Sequence, residues 1–376
     1  MIIFYAAVFS GMEIAMVKKM KAGIVGCGGI AKGKHLPCME DIENLEIVAF
    51  CDLIIERAEW AKERYGTPDA IVCTDYKELL AIEDIDVVHV CTPNKEHAEI
   101  SIAAMKAGKN VMCEKPMAKS AADAKLMVET AKETGRKLTV GYQHRHKAES
   151  IYAKKFIEDG GLGEIYYAKC LAVRRRGTPN WGVFLNKEEQ GGGPVIDIAT
   201  HSLDLCLYLM DNYEPEMVVG KTHKKIEHPE AANMWGDDGV STSELEEAAC
   251  GFIRMKNGAT IILETSWALN TINTVEEGSC ELCGTKGGLQ IINNRLTINY
   301  AKYDKLSTEE VDTGNRGVAF YAGKKYTPPQ AECMSWYDCL RNDKTPVVTP
   351  EQALVVSQIL EAIYVSSETG KPVFFE

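Results

Sequence analysis

Between Met20 and Gly141, short apolar runs alternate with stretches in which apolar residues recur every three or four positions. The runs Lys21–Val25, Leu45–Cys51, Ala70–Cys73, Val87–Thr92, Asn110–Cys113 and Leu138–Gly141 predict strands. Tyr76–Leu80, Glu96–Ala107 and Ala121–Thr134 predict helices, the last opened by a capping box of Ser120 and Asp123. Strands alternating with helices of this length need right-handed crossovers, hence a parallel sheet in an α/β domain. Beyond Gly141 the pattern changes. A helix over about Ala148–Asp159 precedes strand-like runs at Glu164–Arg174, Met217–Thr222, Ala248–Met255, Ala259–Trp267, Ser279–Cys283 and Gly288–Tyr300. Asn257-Gly258 is a strong hairpin turn between two of them. Successive hairpins predict a second, α+β domain: an open-faced, mostly antiparallel sheet with helices on one face. The uncovered face predicts a homo-oligomer, dimer or tetramer, packed through the sheets. Near the end, Thr349 precedes Pro350 at a first helical position, and the helix runs to about Glu368 before Gly370 stops it. The domains are expected at 20–141 and 142–376, with helix 350–369 free to pack back on the first.

A chain of 376 residues exceeds one ordinary core, in keeping with two domains. The net charge of −12 argues against nucleic acid or an anionic membrane as partner, since both reward a basic surface. Thirteen cysteines, an odd number scattered through apolar elements, suggest reduced thiols and a cytoplasmic location. Residues 1–19 read as a frayed leader: Met1–Met16 is apolar but lacks a basic region and is too short to span a bilayer.

The first strand runs directly into Gly26-Cys27-Gly28-Gly29-Ile30-Ala31, the G-x-G-x-x-A form of a dinucleotide fingerprint. Gly26 permits the tight turn, Gly28 lets backbone approach a pyrophosphate, and Ala31 allows close helix–strand packing. Asp52 ends the second strand, 21 residues beyond Ala31, where a carboxylate accepts ribose hydroxyls and repels a 2′-phosphate. Leu53, Ile54 and Ile55 follow with no cation among them, so NAD is expected over NADP; Arg57 is the residue that argues the other way. Ligands of parallel sheets bind beyond the strand C-termini. Those ends carry Thr92-Pro93-Asn94, Glu114-Lys115-Pro116 and Tyr142-Gln143-His144-Arg145. The expected cofactor site is therefore Gly26, Gly28, Gly29, Ile30, Asp52, Thr92, Asn94, His97, Glu114, Lys115 and Gln143.

In the second half, Gly191-Gly192-Gly193-Pro194 leads into an apolar-periodic helix, Val195 through Leu209. Asp197 and His201, four apart on one face, suit an acid/base pair in which the carboxylate fixes the imidazole tautomer. The plain structural alternative is an N-terminal Asp favoured by the helix dipole and a packed core His. Before the triple glycine lies Arg174-Arg175-Arg176, followed by Trp181. One or two of these arginines reach the cleft, or all three are a solvated loop; Trp181 supplies an apolar wall for a sugar-like ring. Cys280-x-x-Cys283 has no second pair, and His144 and His146 lack a carboxylate or cysteine at ligand spacing, so no metal is expected.

Taken together, Gly26-x-Gly28-x-x-Ala31, Asp52, Glu114-Lys115-Pro116, Gly191-Gly192-Gly193-x-x-x-Asp197-x-x-x-His201, Gly284-Thr285-Lys286-Gly287-Gly288 and Ser367-x-x-x-Gly370-Lys371-Pro372-Val373 resemble the Gfo/Idh/MocA family of glucose–fructose oxidoreductase, inositol dehydrogenase and rhizopine catabolism. The resemblance runs from about Met20 to Glu376. It implies a Rossmann domain, an open-faced sheet domain, oligomers through the sheets and hydride transfer at a secondary alcohol. It also implies that Lys115, Asp197 and His201 form the catalytic set. Many members have Tyr-Arg after the strand ending at Gly141; here Tyr142-Gln143-His144-Arg145 keeps the arginine and alters its spacing. Gly33-Lys34-His35 and the Trp181–Gln190 insert are similar to members acting on glucosides and other sugars. The expected substrate contacts are Lys115, Gln143, Arg145, Arg174, Trp181, Asp197 and His201. Expected functions are NAD-dependent oxidation of a sugar, polyol or glycoside, with 3-oxidation of a glucoside as one concrete form. Inositol or nucleotide-sugar oxidation, a glycosidase with transient oxidation, and a non-catalytic sugar sensor are the alternatives.

Overall fold

The computed structural model describes residues 19–226, 233–236, 239–240, 242–313 and 326–376; the expected leader lies outside them apart from Lys19. Six strands form one sheet: β1 (Met20–Val25), β2 (Leu45–Cys51), β3 (Gly66–Cys73), β4 (Val87–Val90), β5 (Asn110–Cys113) and β6 (Leu138–Val140). They lie in the order β3-β2-β1-β4-β5-β6, and every pair is parallel. β4, all buried, reads Val-Val-His-Val because helices cover both faces and leave no solvent side to mark by alternation. The order reverses between β1 and β4. That crevice is where such sheets take a ligand.

Nine strands form the second sheet: β7 (Ile165–Val173), β8 (Pro215–His223), β9 (Ala248–Met255), β10 (Thr260–Ser266), β11 (Val275–Gly284), β12 (Gly287–Ile292), β13 (Arg295–Lys302), β14 (Lys305–Val311) and β15 (Val373–Phe374). Their order is β14-β13-β12-β11-β7-β10-β9-β8-β15, antiparallel except for β7 with β10. Helices Thr200–Met210 and Pro350–Thr369 cover one face. On the other, Val219, Phe252, Ile262, Lys169 and Glu281 stand in register across five strands. Helix Pro350–Thr369 also lies against helix Ala121–Thr134 of the first half.

The structure departs from expectation in three places. The run Gly288–Tyr300 is two strands, β12 and β13, folded back at Asn293-Asn294, whose φ angles are 50° and 61°. Two left-handed residues make the hairpin turn whose twist suits flanking strands, and asparagine tolerates that region. Its continuation β14, Lys-Leu-Ser-Thr-Glu-Glu-Val, is almost wholly exposed and has no apolar alternation to read. Helix Pro328–Arg341, opened by a Thr327–Gln330 capping box, sends Cys333, Trp336, Tyr337 and Cys339 into the core that holds Ile24, Phe50 and Met112. A segment late in the chain thus completes the first domain. Among the described residues no helix is long and apolar enough to cross a membrane.

Candidate active site

The ends of β1, β2 and β4 meet around the glycine loop. Gly26 has φ +90°, and a Cβ there would lie 2.6 Å from the Cys91 carbonyl oxygen, so only glycine passes between β1 and β4. Gly28 and Gly29 face open space, with nothing within 4 Å of where a side chain would begin. The Cys27 N–H donates to Asp52 Oδ2 (2.8 Å) and the Ile54 N–H to Oδ1 (2.9 Å), fixing the carboxylate beside the loop. Each oxygen keeps a lone pair for a ribose hydroxyl. Leu53 and Ile54 are exposed apolar neighbours that suit an adenine face and bring no cation for a 2′-phosphate. Among the described residues Thr92 Oγ1 is buried without a partner at the end of β4. The residues present fit a bound NAD.

Lys115 follows β5 and reaches across to the second domain. Its Nζ donates to the Asp197 carbonyl oxygen (2.9 Å) and to Asp197 Oδ1 (3.0 Å). Asp197 Oδ2 accepts from Nε1 of the buried Trp267 (3.0 Å), so the carboxylate is held from both sides. Burial works against the Lys115 charge, but Asp197, Glu277 and Glu114 outweigh it and raise the lysine above its usual range. It is an ammonium. His201 is the opposite case: burial first, then the Lys115 charge and His144, hold its pKa well below the usual imidazole value. It is a neutral imidazole. The His144 ring packs edge-on against it, centroids 4.7 Å apart, with a pKa lowered to about 3 chiefly by burial.

Asp197 does not orient His201 as the four-residue spacing predicted. Val195–Ala199 is a π-helical turn, and α-helix begins only at Thr200. Both Asp197 carboxylate oxygens are taken instead by Lys115 and Trp267. Among the described residues His201 Nδ1 is buried and unpartnered. The triple glycine is likewise a packing device. A Cβ on Gly192 would fall 2.0 Å from the Tyr364 hydroxyl, and one on Gly193 2.5 Å from the Glu246 carbonyl oxygen. Glu246 Oε1 accepts from the Gly193 N–H (2.9 Å) and from the Tyr364 hydroxyl (2.6 Å), fixing the start of the helix that carries His201.

Comparison with known proteins accounts for both domains. Residues 20–142 match the oxidoreductase family with an NAD-binding Rossmann fold, and residues 154–375 match its C-terminal alpha/beta domain. The chain belongs to the Gfo/Idh/MocA family. It is an NAD-dependent oxidoreductase. It is 32% identical over 361 residues to D-glucoside 3-dehydrogenase of Escherichia coli K12, covering 96% of this chain and 99% of the relative. Levoglucosan dehydrogenase of Pseudarthrobacter phenanthrenivorans is 29% identical over 266 residues, 67% of this chain and 64% of the relative. Among solved structures, levoglucosan dehydrogenase complexed with NADH superposes with a TM-score of 0.80 at 23% identity, covering 96% of this chain and 100% of that one. Aldose-aldose oxidoreductase of Caulobacter crescentus gives 0.77 at 24% identity over 95% and 100%.

Against this family background several expected contacts take other places. Arg145 is not a substrate residue. Its guanidinium is fully buried, donating from Nε (3.0 Å) and an Nη (2.6 Å) to the two oxygens of Asp204 and from the other Nη to the Val347 carbonyl and Gln352. Three expected cofactor residues support rather than face the cleft. The His97 ring lies between the Thr92 and Pro116 carbonyl oxygens (2.9 and 2.7 Å), locking two strand-end loops together. The Asn94 amide donates to the Gln190 carbonyl (3.0 Å). Glu114 is buried on Lys34 (2.6 Å) and His35 (2.8 Å), and the Lys34 cation holds its carboxyl well below the usual range despite burial. Lys34 is shared with Glu332 (2.9 Å) on helix Pro328–Arg341, whose carboxyl burial pushes up to about 7. Gln143 is half-buried on the first turn after β6, and Trp181 is exposed.

Glu277 and His144 are the members that sequence reading missed. Ligand atoms of His144, His201 and Glu277 lie within 4.8 Å of one another, so folding gives His144 the carboxylate neighbour that its sequence surroundings lack. Glu277 Oε2 accepts from Arg174 (2.7 Å), which sets one of the three arginines beside this cluster. The signal for Glu277 was Gly278 inside a strand: it has φ +73°, and the register of β11 slips there, a bulge that re-aims its neighbour. A Cβ on Gly278 would also fall 2.2 Å from His144 Nδ1.

Proposed function

We propose that the enzyme oxidises a secondary hydroxyl of a D-glucoside, at carbon 3, to the ketone. One observation carries the chemistry: the Lys115 ammonium from the first domain, held by Asp197, stands close enough to the neutral His201 imidazole of the second for its charge to depress that ring's pKa. The full-length similarity to a D-glucoside 3-dehydrogenase supports the substrate class. NAD, held by Gly26, Gly28, Asp52 and Thr92, supplies the hydride acceptor when bound. His201 takes the hydroxyl proton on Nε2, its Nδ1 being sealed. Lys115 donates to the same oxygen and stabilises the charge that develops as the proton leaves, a preorganised effect of a few kcal/mol. Asp197, gripped by Trp267, keeps the ammonium aimed. Gln143 and Arg174 flank the sugar.

Two coarser features belong to the same reading. The row of Val219, Phe252 and Ile262 on the open sheet face pairs two copies into a homo-oligomer, which size measurement of a Phe252→Glu variant checks. Thirteen unpaired cysteines suit the cytoplasm. The test of the function is NADH formation over a panel of D-glucosides, inositols, levoglucosan and aldoses, with the product carbon located by NMR. Turnover of glucosides to 3-ketones is expected. Turnover of an inositol with every glucoside inert would overturn the reading.

A further inference from the structure

Beside the reacting groups stands an exposed aromatic surface that the mechanism does not use. Trp181 is 49% exposed and Trp235 41%, although both are large apolar side chains. Their rings meet edge-to-face at 5.0 Å, and Phe184 meets Trp181 in the same way at 5.5 Å. The two loops that carry the indoles are tied together. Asn233, buried, accepts from the Thr178 N–H (2.9 Å) and donates back to the Thr178 carbonyl (2.9 Å), while the Asn180 amide donates to the Trp235 carbonyl (2.9 Å). The surface is therefore prearranged, and its rings need not be ordered when a ligand arrives.

Arg174 joins this surface to the reaction centre. Its guanidinium lies over the Trp235 ring, 5.4 Å from the centroid, and donates to Glu277, which neighbours His144 and His201. Arg174 and Glu277 thus lead in two steps from the Trp235 ring to the histidines where a pyranose would be held. An apolar, flat-faced group attached to the sugar gains stacking there, whereas a free sugar leaves the rings in water.

We propose that Trp181, Phe184 and Trp235, with Arg174 at their inner edge, form a subsite for the aglycone, so that the enzyme selects linked glycosides over the free sugar. This rests on the glucoside reading above. The shared chemistry is a flat face with apolar C–H or π surface, offered either by an aryl group or by a second sugar ring.

The test compares kcat/KM for methyl glucoside, phenyl glucoside and a glucosyl disaccharide in the wild type and in Trp181→Ala, Trp235→Ala and Trp235→Phe. The wild type is expected to favour at least one ring-bearing substrate over methyl glucoside by on the order of tenfold. Preference for the phenyl compound alone marks an aryl aglycone; preference for the disaccharide alone marks a carbohydrate one. Each alanine variant is expected to collapse the preference, and Trp235→Phe, which keeps an aromatic face, to retain most of it. The proposal is overturned if the preference survives both alanine substitutions, or if all three substrates weaken in parallel. It is also overturned if the variants change the oligomer mass while the preference stands, which would mean that a second copy covers the rings. A wild type that oxidises no glucoside but does oxidise another polyol would sink the glucoside reading itself. That outcome is distinct from turnover of glucosides without preference.

Discussion

Replacing Arg145 by alanine separates a structural guanidinium from one that binds substrate. Arg145 and Asp204 have side chains 0% and 1% exposed, and the pair is bidentate. The guanidinium also satisfies the Val347 carbonyl and Gln352 and lies 4.7 Å over the Tyr208 ring. Removal strands a buried carboxylate, and breaking such a pair costs about 3–5 kcal/mol. At roughly 2–4 °C per kcal/mol, Tm should fall by about 10 °C. The pH dependence carries a definite sign. Burial already raises the Asp204 pKa, and Arg145 is what opposes the shift. Without it the folded-state pKa climbs further above the unfolded one, so the variant loses stability as pH rises through that value and recovers it on acidification. Thermal scans across the acid-to-neutral range should therefore show the gap between wild type and Arg145→Ala narrowing as pH falls. A double variant, Arg145→Met with Asp204→Leu, should regain much of the loss because no charge is left unpaired. An Arg145→Ala enzyme with unchanged Tm and a raised KM for substrate would refute the assignment.

Four further outcomes follow from the site. Lys115→Ala should lower kcat by about 10²–10³-fold while calorimetry finds NAD affinity retained, because the ammonium acts on the developing oxyanion. Since His201 is neutral, kcat/KM should stay level through neutral pH and fall only below the usual imidazole value of about 6.5; a plateau beginning well above that would assign the base elsewhere. Glu332, with a folded pKa of about 7 raised by burial, contributes stability that is complete below the unfolded carboxyl value and lost as pH rises through 7. Denaturant titrations should find that slope flattened in Glu332→Gln. Dialysis against a chelator should leave turnover intact: Arg174 already pairs with Glu277 and the Lys115 ammonium stands nearby, so a dication at His144 and His201 would meet two cations. Loss restored by zinc would contradict this.

Local chemistry made the first domain readable before folding. The Gly26 turn, the carboxylate ending β2 and the alternation of strand and helix each act within a few residues, and they were found at the expected positions. Lys115 at the end of β5 was legible for the same reason. Helix Pro328–Arg341 and β14 were not: one gains its meaning from a core formed by residues of the first third of the chain, the other pairs without burying a face.

What the sequence by itself determined is the inventory: a dinucleotide loop, a lysine beyond a strand, and a histidine behind a glycine-rich turn. Which of these act together was decided by tertiary structure. Lys115 and Trp267, brought in from distant parts of the chain, hold the Asp197 carboxylate that residue spacing assigned to His201. Burial, a property of the whole fold, keeps the His201 imidazole neutral and turned Arg145 from a candidate ligand into a strut. A bulge at Gly278 brought Glu277 beside two histidines distant in the chain. Charge state and aim depend on neighbours in space, and the chain encodes those neighbours only once it has folded.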